Sequence, residues 1–154
     1  METFQRELNA LLIAVYQNIQ RFEELALQQS EKVDLTISEM HLIEYVGAHM
    51  PRGATIRELA EQLNIKSPSV TVAVQKLEIK GYITKAACPE DKRAVRVQLT
   101  RAGRCVEAYH QYYHRILTKR IAQDLTEEEQ GVLLRGIRNL NAHFVEHIQE
   151  QEDR

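Results

Sequence analysis

Two histidines in the C-terminal third of the sequence have a spacing suited to metal binding. His110 and His114 are four residues apart in a helical segment, so they share one face of that helix. Such a pair can chelate one transition-metal ion if other helices supply further ligands. Candidates are His41, inside the second helical segment, and Glu23 and Glu24, near the end of the first, at the level where these helices should cross. The residues alone leave three interpretations open: a metal site, the polar wall of a pocket for an apolar effector, and a purely structural set of histidines.

A second group of functional residues lies in a basic segment. The net charge of the 154-residue chain is −2, but residues 51–104 carry 11 Lys and Arg against 5 Asp and Glu, a local charge of +6. The remainder carries −8. A basic segment between acidic flanks is typical of a polyanion-binding module within a larger frame. We expect no enzyme, because the sequence has no glycine-rich phosphate loop, His-Glu-x-x-His or Gly-x-Ser-x-Gly motif.

Local signals divide the basic segment into a helix-turn-helix. Thr55 and Glu58 form a capping box that opens a short helix. Ser67 is predicted to cap the next helix, with Pro68 at its first position and Gly81 ending it. Two short helices joined by three or four residues are typical of a DNA-binding helix-turn-helix.

The second of these helices has a distinct outward face. Val70, Val74 and Leu77 recur on one side and are expected to face the core. On the other side, Gln75 could pair with adenine and Val72 could meet a thymine methyl group in the major groove. The predicted contacts of this helix with DNA are made by Ser67, Ser69, Thr71, Val72, Gln75 and Lys76.

A charged β-hairpin follows, with strands predicted at residues 82–86 and 94–99. A hairpin directly after a helix-turn-helix is typical of a wing. Arg93 at its tip suits the narrow, electronegative minor groove of A·T-rich DNA, and Asp91 could orient its guanidinium. Phosphate contacts are expected from Lys85, Lys92 and Arg96. The alternative from another class is a winged-helix module that binds protein without binding DNA, and the local charge of +6 argues against it.

Long apolar stripes flank this lobe. The first runs from Phe4 to Ala26 and the last from Leu133 to Ile148, both at helical spacing and both longer than the core of a small domain requires. A capping box at Thr36 and Glu39 opens the helix after the first stripe. The predicted fold is mainly α with a small β wing: a dimerisation helix (residues 1–34), a winged helix-turn-helix lobe (35–100) and C-terminal dimerisation helices (101–154).

We expect the protein to be cytoplasmic. No apolar stretch approaches the roughly 20 residues that a membrane span needs, and the N-terminus does not have the pattern of a signal peptide. Cys88 and Cys105 form no close-spaced motif, so no structural disulfide is expected.

The order and spacing of four blocks resemble the multiple-antibiotic-resistance regulator (MarR) family of winged-helix transcription factors. The blocks are Ser67–Thr71, Leu77–Ile83, Asp91–Arg93 and Leu99–Gly103. The resemblance implies a homodimeric DNA-binding regulator, with entwined terminal helices and two winged lobes. It also implies that Asp91 and Arg93 act together at the tip of the wing. A two-fold dimer predicts a pseudo-palindromic operator with half-sites about one helical turn apart.

Two branches of that family imply different effectors. The zinc-sensing repressors use a Glu on the first helix, a His on the second and a His pair on the fifth, which implies Glu24 (or Glu23), His41, His110 and His114 here. The fatty-acid-synthesis repressors, which respond to acylated acyl carrier protein, are similar over Ser38–Glu44 and Leu99–Glu129. Both branches use the effector as a corepressor. Zinc and an acyl ligand therefore both remain candidate effectors.

Overall fold

The computed structural model describes residues 3–28, 33–87 and 95–152, and this part of the chain is mainly helical with a small antiparallel sheet, as predicted. The predicted tip of the wing, including Cys88, Asp91, Lys92 and Arg93, lies outside the described residues. In chain order the elements are α1 (Thr3–Gln28), α2 (Ile37–Ala48), β1 (Ala54–Thr55), α3 (Ile56–Leu63), α4 (Ser67–Ile79), β2 (Ile83–Ala87), β3 (Val95–Leu99), α5 (Arg101–Gln123) and α6 (Glu127–Glu152).

Both capping boxes predicted before the short helices are confirmed. The Thr36 hydroxyl accepts a hydrogen bond from the Glu39 amide (3.2 Å), and the Glu39 carboxylate accepts one from the Thr36 amide (2.9 Å). Thr55 and Glu58 repeat the arrangement at 3.2 Å and 2.7 Å. These bonds satisfy backbone amides that have no partner within the helix, and they set where α2 and α3 begin.

The prediction for the start of α4 is wrong by one residue. Lys66 is the N-cap, and Ser67 is already helical, so its hydroxyl does not cap the helix. Pro68 still lies in the first turn, where its missing amide costs nothing. At the other end, Gly81 has a φ of +81°, a conformation that favours glycine, and the Gly81 amide donates to the Glu78 carbonyl at 3.0 Å.

The three strands among the described residues form one antiparallel sheet in the order β1-β3-β2. Strand β3 pairs with β2 from Ile83 opposite Leu99 to Ala87 opposite Val95, and with the short β1 through Ala54 opposite Val97. Sequence reasoning missed β1, because two residues are too few to show an alternating pattern. Val97 and Leu99 are buried, whereas Val95 is exposed.

The apolar core joins α2, α3, α4, the sheet and the start of α5. Its members are Met40, Leu42, Ile43, Val46, Ala54, Leu59, Ala60, Val70, Val74, Leu77, Tyr82, Ile83, Val97, Leu99 and Val106. This core fixes the orientation of α4 within the lobe, because three side chains of α4 are fully enclosed by it.

The chain divides into two compact units, residues 1–109 and 110–154, and the division falls within the continuous helix α5. The first unit holds the helix-turn-helix and the sheet. The second holds the C-terminal part of α5 and all of α6, with the Thr126 hydroxyl accepting from the Glu129 amide at 3.3 Å at the start of α6. Among the described residues, no helix is long and apolar enough to cross a membrane. The separation into segments 1–34, 35–100 and 101–154 stays a prediction.

Candidate functional site

Helix α4 presents an outward polar face above a buried apolar one. Val70, Val74 and Leu77 are fully buried against the core. The side chains predicted to contact DNA lie away from them: Ser67, Ser69, Val72, Gln75 and Lys76 are exposed, and Thr71 is half-buried. The structure therefore places these six residues on the side of α4 that faces away from the core.

Two features of this face bear on DNA recognition. Val72 leaves 51% of its surface exposed, although it is apolar and β-branched. An exposed apolar group on a polar face is suited to a thymine methyl, which would remove its surface from water. The Thr71 hydroxyl donates to the Ser67 carbonyl at 3.0 Å, so its oxygen keeps lone pairs that can accept from a base or a water molecule.

The basic residues Lys85 and Arg96 of the hairpin strands lie in two different environments, and the phosphate contact of Lys85 stays a prediction. Lys85 lies on β2, but its Nζ is 2.6 Å from the Glu78 carboxylate at the end of α4. Arg96 was expected to contact phosphate, and this prediction is wrong. Its side chain is buried, and its Nη1 donates to the Gly53 carbonyl at 3.3 Å. Arg96 therefore fastens the loop before β1 to the sheet.

In the first unit, the structure pairs His41 with Glu23 rather than with Glu24. The Nε2 atom of His41 lies 3.7 Å from the Glu23 carboxylate, which is mostly shielded from water. Glu24 instead pairs with Arg21 on the exposed side of α1 (3.2 Å). The assignment of Glu24 as the partner of His41 is therefore corrected to Glu23. Sequence spacing could not separate the two, because it does not specify how α1 is rotated about its axis. A rotation of 100° exchanges one residue for its neighbour on the side that faces α2.

In the second unit, His110 and His114 approach each other closely. Their Nε2 atoms are 3.2 Å apart, and the rings meet edge to face with centroids 4.4 Å apart. His110 is buried and His114 is half-buried. The other pair at this spacing, His143 and His147, stacks with ring centroids 6.3 Å apart on an exposed face of α6. The two pairs therefore differ in burial and in the separation of their rings.

The carboxylates of Glu44, on α2, and Glu107, on α5, interact within the first unit. Burial, and secondarily the charge of Glu44, raises the pKa of Glu107 above its ordinary value. A Cβ atom at Gly47 would overlap the Glu107 carboxylate, so the absence of a side chain at Gly47 makes room for that group. No pattern in the sequence indicates the contact of Glu107 with α2, because α2 and α5 lie far apart in the chain.

The first unit also contains an apolar cavity of about 320 Å³ between α1, α2 and α5. Its walls are formed by Ala26, Leu27, Val33, Met40, Cys105, Val106 and Tyr109. A cavity of this size and lining can accept a small apolar group.

Similarities to known proteins agree with this geometry. Residues 33–94 match the MarR family model. The chain is 28% identical over 142 residues to the transcriptional regulator ZitR of Lactococcus lactis subsp. cremoris, which covers 90% of this chain and 96% of ZitR. The crystal structure of Streptococcus pneumoniae FabT in complex with DNA matches with a TM-score of 0.84 and 31% identity, over 94% of this chain and 99% of FabT. The chain belongs to the MarR family.

A further relative matches over a shorter stretch. The chain is 30% identical over 108 residues to YhjH of Bacillus subtilis, described as an uncharacterized HTH-type transcriptional regulator. That match covers 68% of this chain and 61% of YhjH. Within the MarR family, α3 and α4 are the helix-turn-helix and β2 with β3 the strands of the wing. The family and the fold are those of transcription regulators, not of enzymes.

Sequence reasoning missed one charged contact in this MarR-family lobe. Lys80, at the C-terminal end of α4, reaches Glu39 at the start of α2. Burial acts to raise the pKa of Glu39, but hydrogen bonds from the Thr36 amide and from Lys80 outweigh it, so that pKa lies below its ordinary value. No local pattern could have revealed this contact, because the partners are 41 residues apart.

Proposed function

We propose that this chain is a DNA-binding transcriptional regulator that acts as a repressor and reads duplex DNA through α4 and the wing. The outward polar face of α4, held by a fully buried apolar face, is the observation that carries the proposal. The local charge of +6 over residues 51–104 supports it, because a basic lobe attracts the phosphate backbone. FabT, similar over nearly its whole length, was crystallised with DNA.

The regulator acts as a homodimer on a pseudo-palindromic operator. Helices α1 and α6 each leave a row of large apolar side chains exposed in the single chain, including Phe4, Leu11, Ile137 and Phe144. Exposed apolar rows of this length are typical of a surface that a partner covers. Two copies related by a two-fold axis would present two α4 helices to half-sites about one turn of DNA apart.

Operator binding tests this proposal directly. Genomic fragments bound by the protein can be selected and then titrated by fluorescence anisotropy at several salt concentrations. We expect affinity to fall steeply as salt rises, because phosphate contacts release counterions. We expect Arg93→Ala to weaken binding by about 1–3 kcal/mol, because it removes a contact of the wing. Arg138→Ala, on α6 outside the basic segment, is the matched control and should leave affinity unchanged.

Two results would contradict the proposal. One is the absence of any selected fragment whose affinity exceeds that for random DNA. The other is specific binding that Arg93→Ala and Arg138→Ala affect equally, which would remove the wing from the interface.

For the effector, we propose one zinc ion held by Glu23, His41, His110 and His114, the ligand set implied by the resemblance to the zinc-sensing repressors. Two ligand atoms that are each about 2.0 Å from a tetrahedral zinc ion are about 3.3 Å apart. The Nε2 atoms of His110 and His114 are 3.2 Å apart, and the Glu23 and His41 atoms are 3.7 Å apart, so each pair has nearly this separation. Imidazole and carboxylate are also donors that zinc prefers. When bound, zinc would tie α1, α2 and α5 together and favour one spacing of the lobes.

Metal analysis and a chelator titration test this assignment. We expect purified protein to bind one zinc ion per chain, and operator affinity to rise with zinc and fall when a chelator removes it. His41→Gln and His114→Gln should each lower zinc affinity by tenfold or more, because a missing ligand weakens a four-ligand site. His143→Gln, in the exposed pair on α6, is the matched control. Absence of stoichiometric zinc together with an unchanged operator affinity would contradict the zinc proposal.

The apolar cavity favours a second candidate effector. Its volume of about 320 Å³ and its lining of Leu27, Met40 and Val106 suit part of an acyl chain. The resemblance to fatty-acid-synthesis repressors agrees with this chemistry. The same operator titration, repeated with acylated and with unacylated acyl carrier protein, distinguishes this effector from zinc. A rise in operator affinity with the acylated form alone would favour the acyl effector.

A further inference from the structure

One lysine at the end of the recognition helix connects that helix to the start of α2. The Lys80 Nζ donates to the Glu39 carboxylate at 3.0 Å and to the Asp34 carbonyl at 2.8 Å. It also lies 3.7 Å from the Asp34 carboxylate. We call these contacts the Lys80 bridge.

The bridge ends at a rigid point of α2. The oxygen of Glu39 that accepts from Lys80 also accepts from the Thr36 amide, so the bridge and the capping box share one atom. The side chains of Lys80 and Glu39 are 26% and 10% exposed, so the contact is partly shielded from water. A shielded, charged hydrogen bond is stronger than an exposed ion pair and resists salt. A shift of the first turn of α2 therefore has to move Lys80 or break this bond.

The same turn of α2 carries His41. Glu39 and His41 are two residues apart, so they belong to one rigid turn, and His41 contacts Glu23 of α1. Any occupant that changes the His41–Glu23 contact acts on this turn. The chain of contacts then runs from α1 through α2 and the Lys80 bridge to the C-terminal end of α4.

We propose that Lys80 is a positioning residue that transmits the state of the His41–Glu23 pair to the recognition helix. This inference rests on the proposed function, since it assigns the regulatory route of that same site. Lys80 contacts neither DNA nor effector in this role. It sets the position of α4 by fastening the C-terminal end of that helix to α2.

A double-mutant cycle in the free protein tests the bridge without zinc and without an operator. The readout is hydrogen exchange of the Lys80, Gly81 and Tyr82 amides, which bond the carbonyls of the last turn of α4 at 2.9–3.0 Å. We expect Lys80→Met to speed their exchange by about fivefold or more, and Lys80→Arg, which keeps the cation, to restore protection. His41→Gln should also speed the exchange of these amides in an otherwise wild-type chain. In the Lys80→Met background, His41→Gln should raise their exchange rates by less than a further twofold.

Matched variants separate the bridge from a general loss of stability. Lys85→Met removes a different ion pair from the last turn of α4, the 2.6 Å contact with Glu78, and should leave the effect of His41→Gln intact. Amides of β3 report global unfolding and should change little. If Lys80→Met fails to fold, Glu39→Gln replaces it, because the amide oxygen of Gln can still cap Thr36 while the charge is lost.

A second measurement connects the bridge to regulation. In wild type, operator affinity is measured with and without zinc, and we expect Lys80→Met to reduce the zinc-dependent change by about fivefold while zinc affinity stays constant. If the effects of His41→Gln and Lys80→Met on the exchange rates multiply, the two residues act independently, and this result would overturn the proposal. Failure of the chain to bind zinc or DNA would count against the proposed function alone, because the exchange cycle uses neither.

Discussion

At the scale of residues, Glu58 and Glu107 show that the surroundings of a glutamate can shift its pKa in either direction. The Thr55 amide donates to the Glu58 carboxylate, and with the added contact of Arg52 this lowers the pKa of Glu58 to about 2. Glu107 is shielded from water beside Glu44, and its pKa is raised. The first carboxylate is stabilised as an anion, whereas the fold disfavours the ionised form of the second.

The lowered pKa of Glu58 predicts a pH dependence of stability. The ordinary glutamate value of 4.5 applies to the unfolded chain, so the stabilisation is fully present above that pH and is lost as the pH falls towards 2. We expect Glu58→Gln to make the free energy of unfolding depend less steeply on pH in this window. Urea unfolding between pH 2 and 5 measures it.

The control for this experiment is Gln62→Ala, an exposed change on the same helix that removes no titrating group. It should shift stability equally at every pH. If the free energy of unfolding of Glu58→Gln depends on pH as steeply as that of wild type, the pKa of the Glu58 carboxylate does not differ between the folded and unfolded chain.

At the scale of elements, Gly103 decides how closely α5 approaches Tyr82, the residue directly before β2. A Cβ atom on Gly103 would overlap the carbonyl oxygen of Tyr82, which is backbone and cannot rotate away. Thr100 fastens the same junction, since its amide donates to the Tyr82 carbonyl at 3.0 Å and its hydroxyl donates to the Gly81 carbonyl at 2.7 Å. The Leu99–Gly103 block therefore sets the direction in which α5 leaves the sheet.

We therefore expect Gly103→Ala to destabilise the protein by about 1–3 kcal/mol, the usual cost of forcing extra volume into a packed site. Gly131→Ala on α6 is the control, because nothing lies within 4 Å of the added methyl group. That change should be neutral or stabilise by about 0.5–1 kcal/mol through helix propensity. Thermal and urea unfolding of both variants measure the difference. Equal stability of the two would show that α5 can move away from Tyr82 at no cost.

The elements also show where pattern reasoning succeeds and fails. The caps at Thr36 and Thr55 were predictable because their partners lie three residues away. The burial of Arg96 was not, since it depends on the loop around Gly53, which is 43 residues away. The choice between Glu23 and Glu24 likewise depends on how α1 is rotated against α2.

At the scale of the whole molecule, the exposed apolar surface is the feature that requires explanation. In the second unit, α5 and α6 form an apolar groove of about 300 Å³ that is open to water and is lined by Ile121, Leu125, Leu133 and Ile137. Soluble monomers rarely leave such surfaces open to water. A second copy of the chain is the partner that the proposed function supplies.

We expect Ile137→Glu to shift the protein towards monomer, with the dimer dissociation constant raised about tenfold or more, because burying an unpaired charge costs more than 1.4 kcal/mol. Arg135→Glu, on the opposite side of α6, is the matched control and should stay dimeric. Sedimentation equilibrium measures both. If both variants associate as wild type does, α6 does not contribute to the interface. Operator affinity should fall together with dimerisation, since each half-site would then be bound independently.

The amino-acid sequence by itself determined the fold class and which face of α4 points away from the core. These properties depend on local periodicity, capping and charge, and the residues that encode them lie within a few turns of one another. The family followed from four short blocks for the same reason.

Only the tertiary structure decided which distant groups meet. It paired His41 with Glu23, buried Arg96, enclosed an apolar cavity beside Met40, and placed Lys80 on Glu39. Each of these contacts depends on the rotation and packing of elements far apart in the chain, and a rotation of one residue, about 100° on a helix, replaces one partner by another. Local sequence patterns specify the helices, whereas packing of the core specifies which of their side chains can act together.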